Sequence, residues 1–72
     1  VSWSRFGDSD IYTFPSDRGY ECCACSLNAA ESYTTRDVAE FLAHITRHRA
    51  AGDDVPAEIE TDVRAWAGRW RW

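Results

Sequence analysis

Three cysteines crowd into "GYECCACSL", residues 19–27, and the chain has no others. An odd count does not close on itself as intramolecular disulfides, so these thiols need another use. Downstream lie two histidines, His44 and His48, spaced i, i+4. On a helix that spacing puts both rings on one side. Together the four positions read Cys22-x2-Cys25-x18-His44-x3-His48. Two thiolates from a hairpin knuckle and two imidazoles from one helical face can surround Zn2+ tetrahedrally. The knuckle needs the x2 spacing so that both sulfurs point at one ion, and the helix needs the x3 spacing so that both rings do. Cys22, Cys25, His44 and His48 are therefore the candidate ligands of a structural zinc ion. Cys23 is the spare thiol, because adjacent strand residues face opposite ways. Cys23-x-Cys25 is the alternative pair, with a bite less suited to a tetrahedral ion. A redox Cys-x2-Cys would need a βαβ context that the chain lacks. An idle, exposed His pair is the remaining reading. Four strong ligands leave no position for a substrate water, so a catalytic zinc is not expected.

These residues need elements to position them. "DIYTF" (10–14) is β-branched and aromatic and predicts a short strand. "PSDRG" (15–19) is a turn, after which "YECC" (20–23) pairs back. "NAAE" (28–31) reads as a loop and "SYT" (32–34) as a brief extended piece. Thr35 is the expected N-cap of a first helix, with Asp37 near its positive end. Val38, Phe41, Leu42 and Ile45 follow at i, i+3, i+4 and i+7, an amphipathic helix running to about Ala51 with Gly52 as its C′ stop. His44 and His48 adjoin Phe41 at the edge of that apolar stripe. Pro56 fits the first turn of a second helix, on which Ile59, Val63, Trp66 and Trp70 form a narrow apolar stripe; core packing is the favoured reading of Trp66 and Trp70, and an anchor at a partner surface through the "RWRW" ending is the alternative. The expected fold class is α+β: a small zinc-stabilised ββα finger-like domain with an inserted loop or short strand and a second C-terminal helix. Residues 1–9 would form an N-terminal extension, 10–51 the hairpin and zinc-binding helix, and 56–70 the second helix.

Tyr20 lies two residues before Cys22, and Phe41 three before His44. With the ligands, these matches over residues 20–48 resemble a Cys2His2 zinc finger. The departure is the central spacing of 18 residues, where the finger has about 12. The extra length leaves room for a strand or loop around Asn28–Thr34 and departs from the finger's DNA-docking geometry. More widely, "DIYTFPSDRGYECCACSL" and "FLAHITRHRAAGDDVP" resemble a set of small proteins of actinobacteria and their phages, a family without an established activity. That resemblance implies a zinc-finger-like fold.

A chain of 72 residues is expected to be one domain with a modest core, the size class that often needs a metal, disulfide or partner as a staple. All eight basic residues are Arg, the mark of a GC-rich genome. The net charge of −4 is uneven: residues 51–64 carry five acids against one Arg, and 65–72 two Arg against none. There is no broad basic field for a nucleic-acid backbone. No apolar run is long enough to span a membrane. "VSWSRFGDSD" lacks the apolar stretch of a signal peptide, so a cytoplasmic location is expected, that of the host for a phage protein.

The expected function is a non-catalytic zinc-binding protein-interaction module, a phage-encoded or regulatory adaptor. Trp3, Phe6, Arg71 and Trp72, left outside the patterned core, are its candidate partner contacts. The alternative is nucleic-acid binding through Arg36, Arg47 and Arg49, which Asp37 and Glu40 in the first helical turns oppose. No Ser/His/Asp arrangement, phosphate-binding glycine loop or carboxylate pair suggests an enzyme.

Overall fold

The hairpin forms where aromatic and β-branched residues flank a two-residue turn. The computed structural model describes residues 1–70. Strand β1 runs Tyr12–Ser16 and β2 runs Gly19–Cys23, paired antiparallel with Ser16 opposite Gly19 and Thr13 opposite Cys22. Ser16 stabilises the turn, its hydroxyl donating to the Gly19 carbonyl and accepting from the Arg18 N–H. Gly19 has φ +131°, and a Cβ there would lie 2.4 Å from the Thr35 carbonyl oxygen. Only glycine allows the third strand to approach so closely. That strand, β3, is Tyr33–Thr35 and pairs antiparallel with β2. It occupies part of the extra length between Cys25 and His44, alongside a 3-10 turn at Ser26–Asn28. Among the described residues the sheet order is β1-β2-β3.

Helix α1 spans Val38–Ala50. Its N-cap is Asp37, whose carboxylate accepts from the Ala39 and Glu40 N–H groups. The expected cap, Thr35, instead ends β3 and accepts from the Asp37 N–H. Asp37 wins because its charge also suits the helix N-terminus. Ala51 is the C-cap, and Gly52 follows at φ +93°, the left-handed stop that the sequence suggests. Helix α2 spans Ile59–Ala67, shorter than 56–70. Pro56 precedes the helix, and its carbonyl takes a bond from Arg49.

The buried apolar residues are Trp3, Ile11, Tyr20, Cys22, Cys25, Phe41, Ile45, Ile59 and Val63. Trp3 corrects the expectation of a partner contact: it is 9% exposed and meets Tyr20, Phe41 and Trp66 at ring-centroid distances of 5.8–5.9 Å. The segment around it is no loose extension. The Trp3 N–H donates to the Thr13 carbonyl, Thr13 N–H donates to Ser4 O, and the two buried hydroxyls of Ser4 and Thr13 are 2.7 Å apart. Residues 1–9 have no period because they add one short bridge to β1, and a single bridge leaves no alternating pattern. Trp70 is the opposite case: placed on the apolar stripe with core packing favoured, it is 53% exposed, beyond the Gly68 C-cap, its ring tilted against the half-buried Trp66. The helix ends before the period can carry it inward.

The two helices are joined by Arg49, which forks onto both oxygens of Glu60 and also donates to the Pro56 carbonyl. The guanidinium holds the Glu60 carboxyl below the usual range. Arg49→Ala should therefore destabilise the protein by about 1–2 kcal/mol, a charge-assisted contribution reduced because the Arg49 side chain is 35% exposed. In a domain of this size that is a fall of roughly 4–8 °C in melting midpoint per kcal/mol, readable by circular dichroism. An unchanged midpoint would show that the fork contributes nothing.

Candidate metal centre

Cys22 lies at the inward-facing end of β2. The chain then turns through Ala24, held at φ +48°, so that Cys25 returns to the same side. The turn is closed by backbone bonds, Cys25 N–H to Glu31 O and Ala30 N–H to Cys25 O. From the other direction α1 presents His44 and His48 one turn apart. The four side chains meet: Cys22, Cys25, His44 and His48 are all buried, and their donor atoms lie within 4.8 Å of one another. They could hold a metal ion.

The spacing tests that reading. Tetrahedral zinc, with Zn–S of about 2.3 Å and Zn–N of about 2.05 Å, sets two nitrogens about 3.3 Å apart and a sulfur about 3.6 Å from a nitrogen. The two Nε2 atoms are 3.2 Å apart. Cys25 Sγ is 3.3 Å from each Nε2, and Cys22 Sγ is 3.5 Å from that of His48. Hydrogen bonding alone does not account for this convergence. His48 Nδ1 lies 2.7 Å from a carboxylate oxygen of Asp53, and in the neutral ring that donates there Nε2 carries the lone pair. Two sulfurs and a second ring nitrogen all close on that one lone pair. A single acceptor cannot serve three donors in that space, whereas a cation serves all four groups at once.

The electrostatics agree. Burial, then the neighbouring Cys25 sulfur, pushes the Cys22 thiol well above its usual pKa. Only a nearby cation would make a thiolate stable there. Burial first, then the charges of His48 and Arg47, pulls His44 down to about 4, which keeps the ring neutral and able to ligate at pH 7.

Two residues of the site escaped the sequence reading. Asp53 sits just past the α1 C-cap, where its N–H donates to the His48 carbonyl and its carboxylate takes the His48 ring proton. In sequence it is one acid in an acidic stretch; only its place five residues after a candidate ligand histidine hints at a role. Tyr33 stacks on His44 with centroids 4.0 Å apart and planes 3° from parallel. Its hydroxyl donates to Glu40 at 2.8 Å. Burial and that bond push the Tyr33 phenol up to about 12, so it stays protonated.

Cys23 is half-buried and opposite Tyr12 in the hairpin register, outside the cluster. Of the candidate partner contacts, Phe6 is 51% exposed and packs edge-on against Tyr12, while Trp3 is in the core. Arg71 and Trp72 lie outside the described residues. Among the described residues no helix is long and apolar enough to cross a membrane. Comparison with known protein families, curated proteins and solved structures finds no match. The likeness to a ββα zinc finger thus rests on the architecture and the clustered Cys2His2 set themselves.

Two predictions come from this geometry. Because the depressed His44 binds no proton until about pH 4 while an unfolded imidazole binds one near 6.5, stability is full above pH 6.5 and falls as pH drops toward 4. Melting scans across that window should show the midpoint declining; a flat profile would contradict the burial of a neutral ring. Second, Cys22→Ser, Cys25→Ser, His44→Ala and His48→Ala should each loosen or unfold the domain, while Cys23→Ser stays near wild type. Should Cys23→Ser abolish metal uptake instead, the knuckle assignment is reversed.

Proposed function

We propose that this protein is a non-catalytic, zinc-stabilised protein-interaction module. The observation that carries the reading is the convergence of two sulfurs and two Nε2 atoms at separations matching tetrahedral zinc. Cys22, Cys25, His44 and His48 are the ligands. Four protein donors fill the coordination shell, and all four residues are at most 2% exposed, which favours a structural ion over one that activates a substrate water. The small core gives the ion a reason: it ties β2 to α1 where few apolar residues are available.

A protein partner is favoured over a nucleic acid. Of the three candidate arginines, Arg49 is committed to Glu60, and Arg36, which precedes the α1 N-cap, donates to the Asp17 carbonyl. The helix start that a recognition helix would turn to DNA carries Asp37 and Glu40, both already bonded within the fold. Exposed aromatics are instead present: Phe6, which meets Tyr12, itself edge-on to Phe14, and Trp70 on Trp66. Phe6 keeps its role as a contact, and Trp70 takes the place of Trp3.

Purified protein should carry one zinc per chain, and a strong chelator should collapse its circular dichroism, since structural zinc contributes roughly 10–16 kcal/mol in finger peptides. Substoichiometric metal with a chelator-indifferent spectrum would refute the zinc reading. In an anisotropy titration at about 150 mM salt, duplex and single-stranded pools should bind weakly. Saturable submicromolar binding there would replace the protein-partner reading with a nucleic-acid one.

A further inference from the structure

The two histidines meet the same centre but are held differently. His48 is fully buried, and its Nδ1–H is taken by Asp53 at 2.7 Å. The Asp53 backbone is itself tied to the His48 carbonyl, so ring and carboxylate are held by one turn of chain. His44 is 2% exposed, and among the described residues its buried Nδ1 has no hydrogen-bond partner. If Nε2 faces the metal, that Nδ1 must carry the proton and has nowhere to donate it. The His44 ring is packed instead by aromatic rings, Tyr33 stacked flat at 4.0 Å and Phe41 farther off at 6.4 Å.

The coverings differ as well. Tyr33 belongs to β3, a three-residue edge strand, and is itself only half-buried. The segment leading into it, residues 26–32, is exposed throughout. On the His48 side lie the C-terminal end of α1 and the turn to Asp53, next to the Arg49 fork onto α2.

We propose that the zinc site is asymmetric by construction. Asp53 is a positioning residue that makes His48 the fixed ligand, while His44 is the ligand that yields first, on the Tyr33 side, so that metal is exchanged there. This rests on the zinc reading above and adds to it a route and an order of ligand release. An imidazole whose second nitrogen is anchored keeps its tautomer and orientation when the metal bond lengthens, and it is the more basic ligand. An imidazole held by stacking alone has no such restoring contact.

The test uses the full chain, loaded with zinc and, in parallel, with cobalt, whose visible absorption reports coordination. Asp53→Ala should weaken zinc affinity about 10–100-fold while the dichroism of the zinc-saturated protein stays that of the wild type. Asp53→Asn, which keeps an acceptor oxygen but drops the charge, should recover much of that loss; a structural role alone would not separate the two. Tyr33→Ala should speed zinc transfer to a chelator at least about tenfold without changing the stoichiometry of one. His44→Ala should retain more cobalt binding than His48→Ala. A zinc-binding wild type with an indifferent Asp53→Ala, or with His48→Ala retaining metal better than His44→Ala, overturns this proposal alone. A wild type that takes up no metal overturns the zinc reading beneath it and this proposal together.

Discussion

Two elements 19 residues apart in sequence must hold their donor atoms at one separation, with Cys25 Sγ and His44 Nε2 3.3 Å apart. The elements that carry the four side chains are placed so as to meet that requirement. The hairpin turn brings Cys22 inward, the Ala24 turn returns Cys25, and Asp37 sets where α1 begins and hence which face carries the rings. Buried and uncompensated, these four groups would be a liability: the Cys22 thiol pushed up by burial, His44 pulled down, and donor atoms crowded against one another. A divalent cation held by the four would turn the same arrangement into a strong tie between β2 and α1.

The apolar core grows outward from that point. Tyr20, two residues before Cys22, stacks on Phe41, three residues before His44. Trp3 and Trp66 close on that pair from the N-terminal segment and α2. Metal site and aromatic cluster are thus two ends of one contact between β2 and α1, and loss of either weakens the other. The N-terminal segment and α2 are held to the molecule by this cluster. Asp10 adds a link, donating its N–H to the Asp54 carbonyl and accepting the Asp54 N–H.

The polar residues near the site are engaged in specific local work. Glu40 receives the Tyr33 hydroxyl, Asp53 receives the His48 ring, and Glu60 receives Arg49. Part of the chain's acidic excess is therefore structural, which removes a simple reading of net charge as a guide to partners. Among the described residues the exposed aromatic groups Phe6 and Trp70 stand on different features, the bridge beside β1 and the segment just past α2, with Val1 and Leu27 also exposed.

That Cys22, Cys25, His44 and His48 come together was legible in the sequence because the geometry of each pair is local. An x2 knuckle and an x3 helical pair each place two donors without reference to the rest of the chain, and the i, i+3, i+4, i+7 stripe orients the helix that carries the rings. Strand and turn positions near Gly19, the stop at Gly52 and the inserted strand near Tyr33 followed from the same short-range rules. Tertiary structure alone decided what depends on residues distant in sequence. Trp3 is core because Tyr20, Phe41 and Trp66 converge on it, which no period in residues 1–9 could signal. Trp70 is outside because α2 ends too soon to bury it. The difference between His48 and His44 comes from Asp53 beyond the helix and Tyr33 on the edge strand, and identical residues at a regular spacing carry no trace of it.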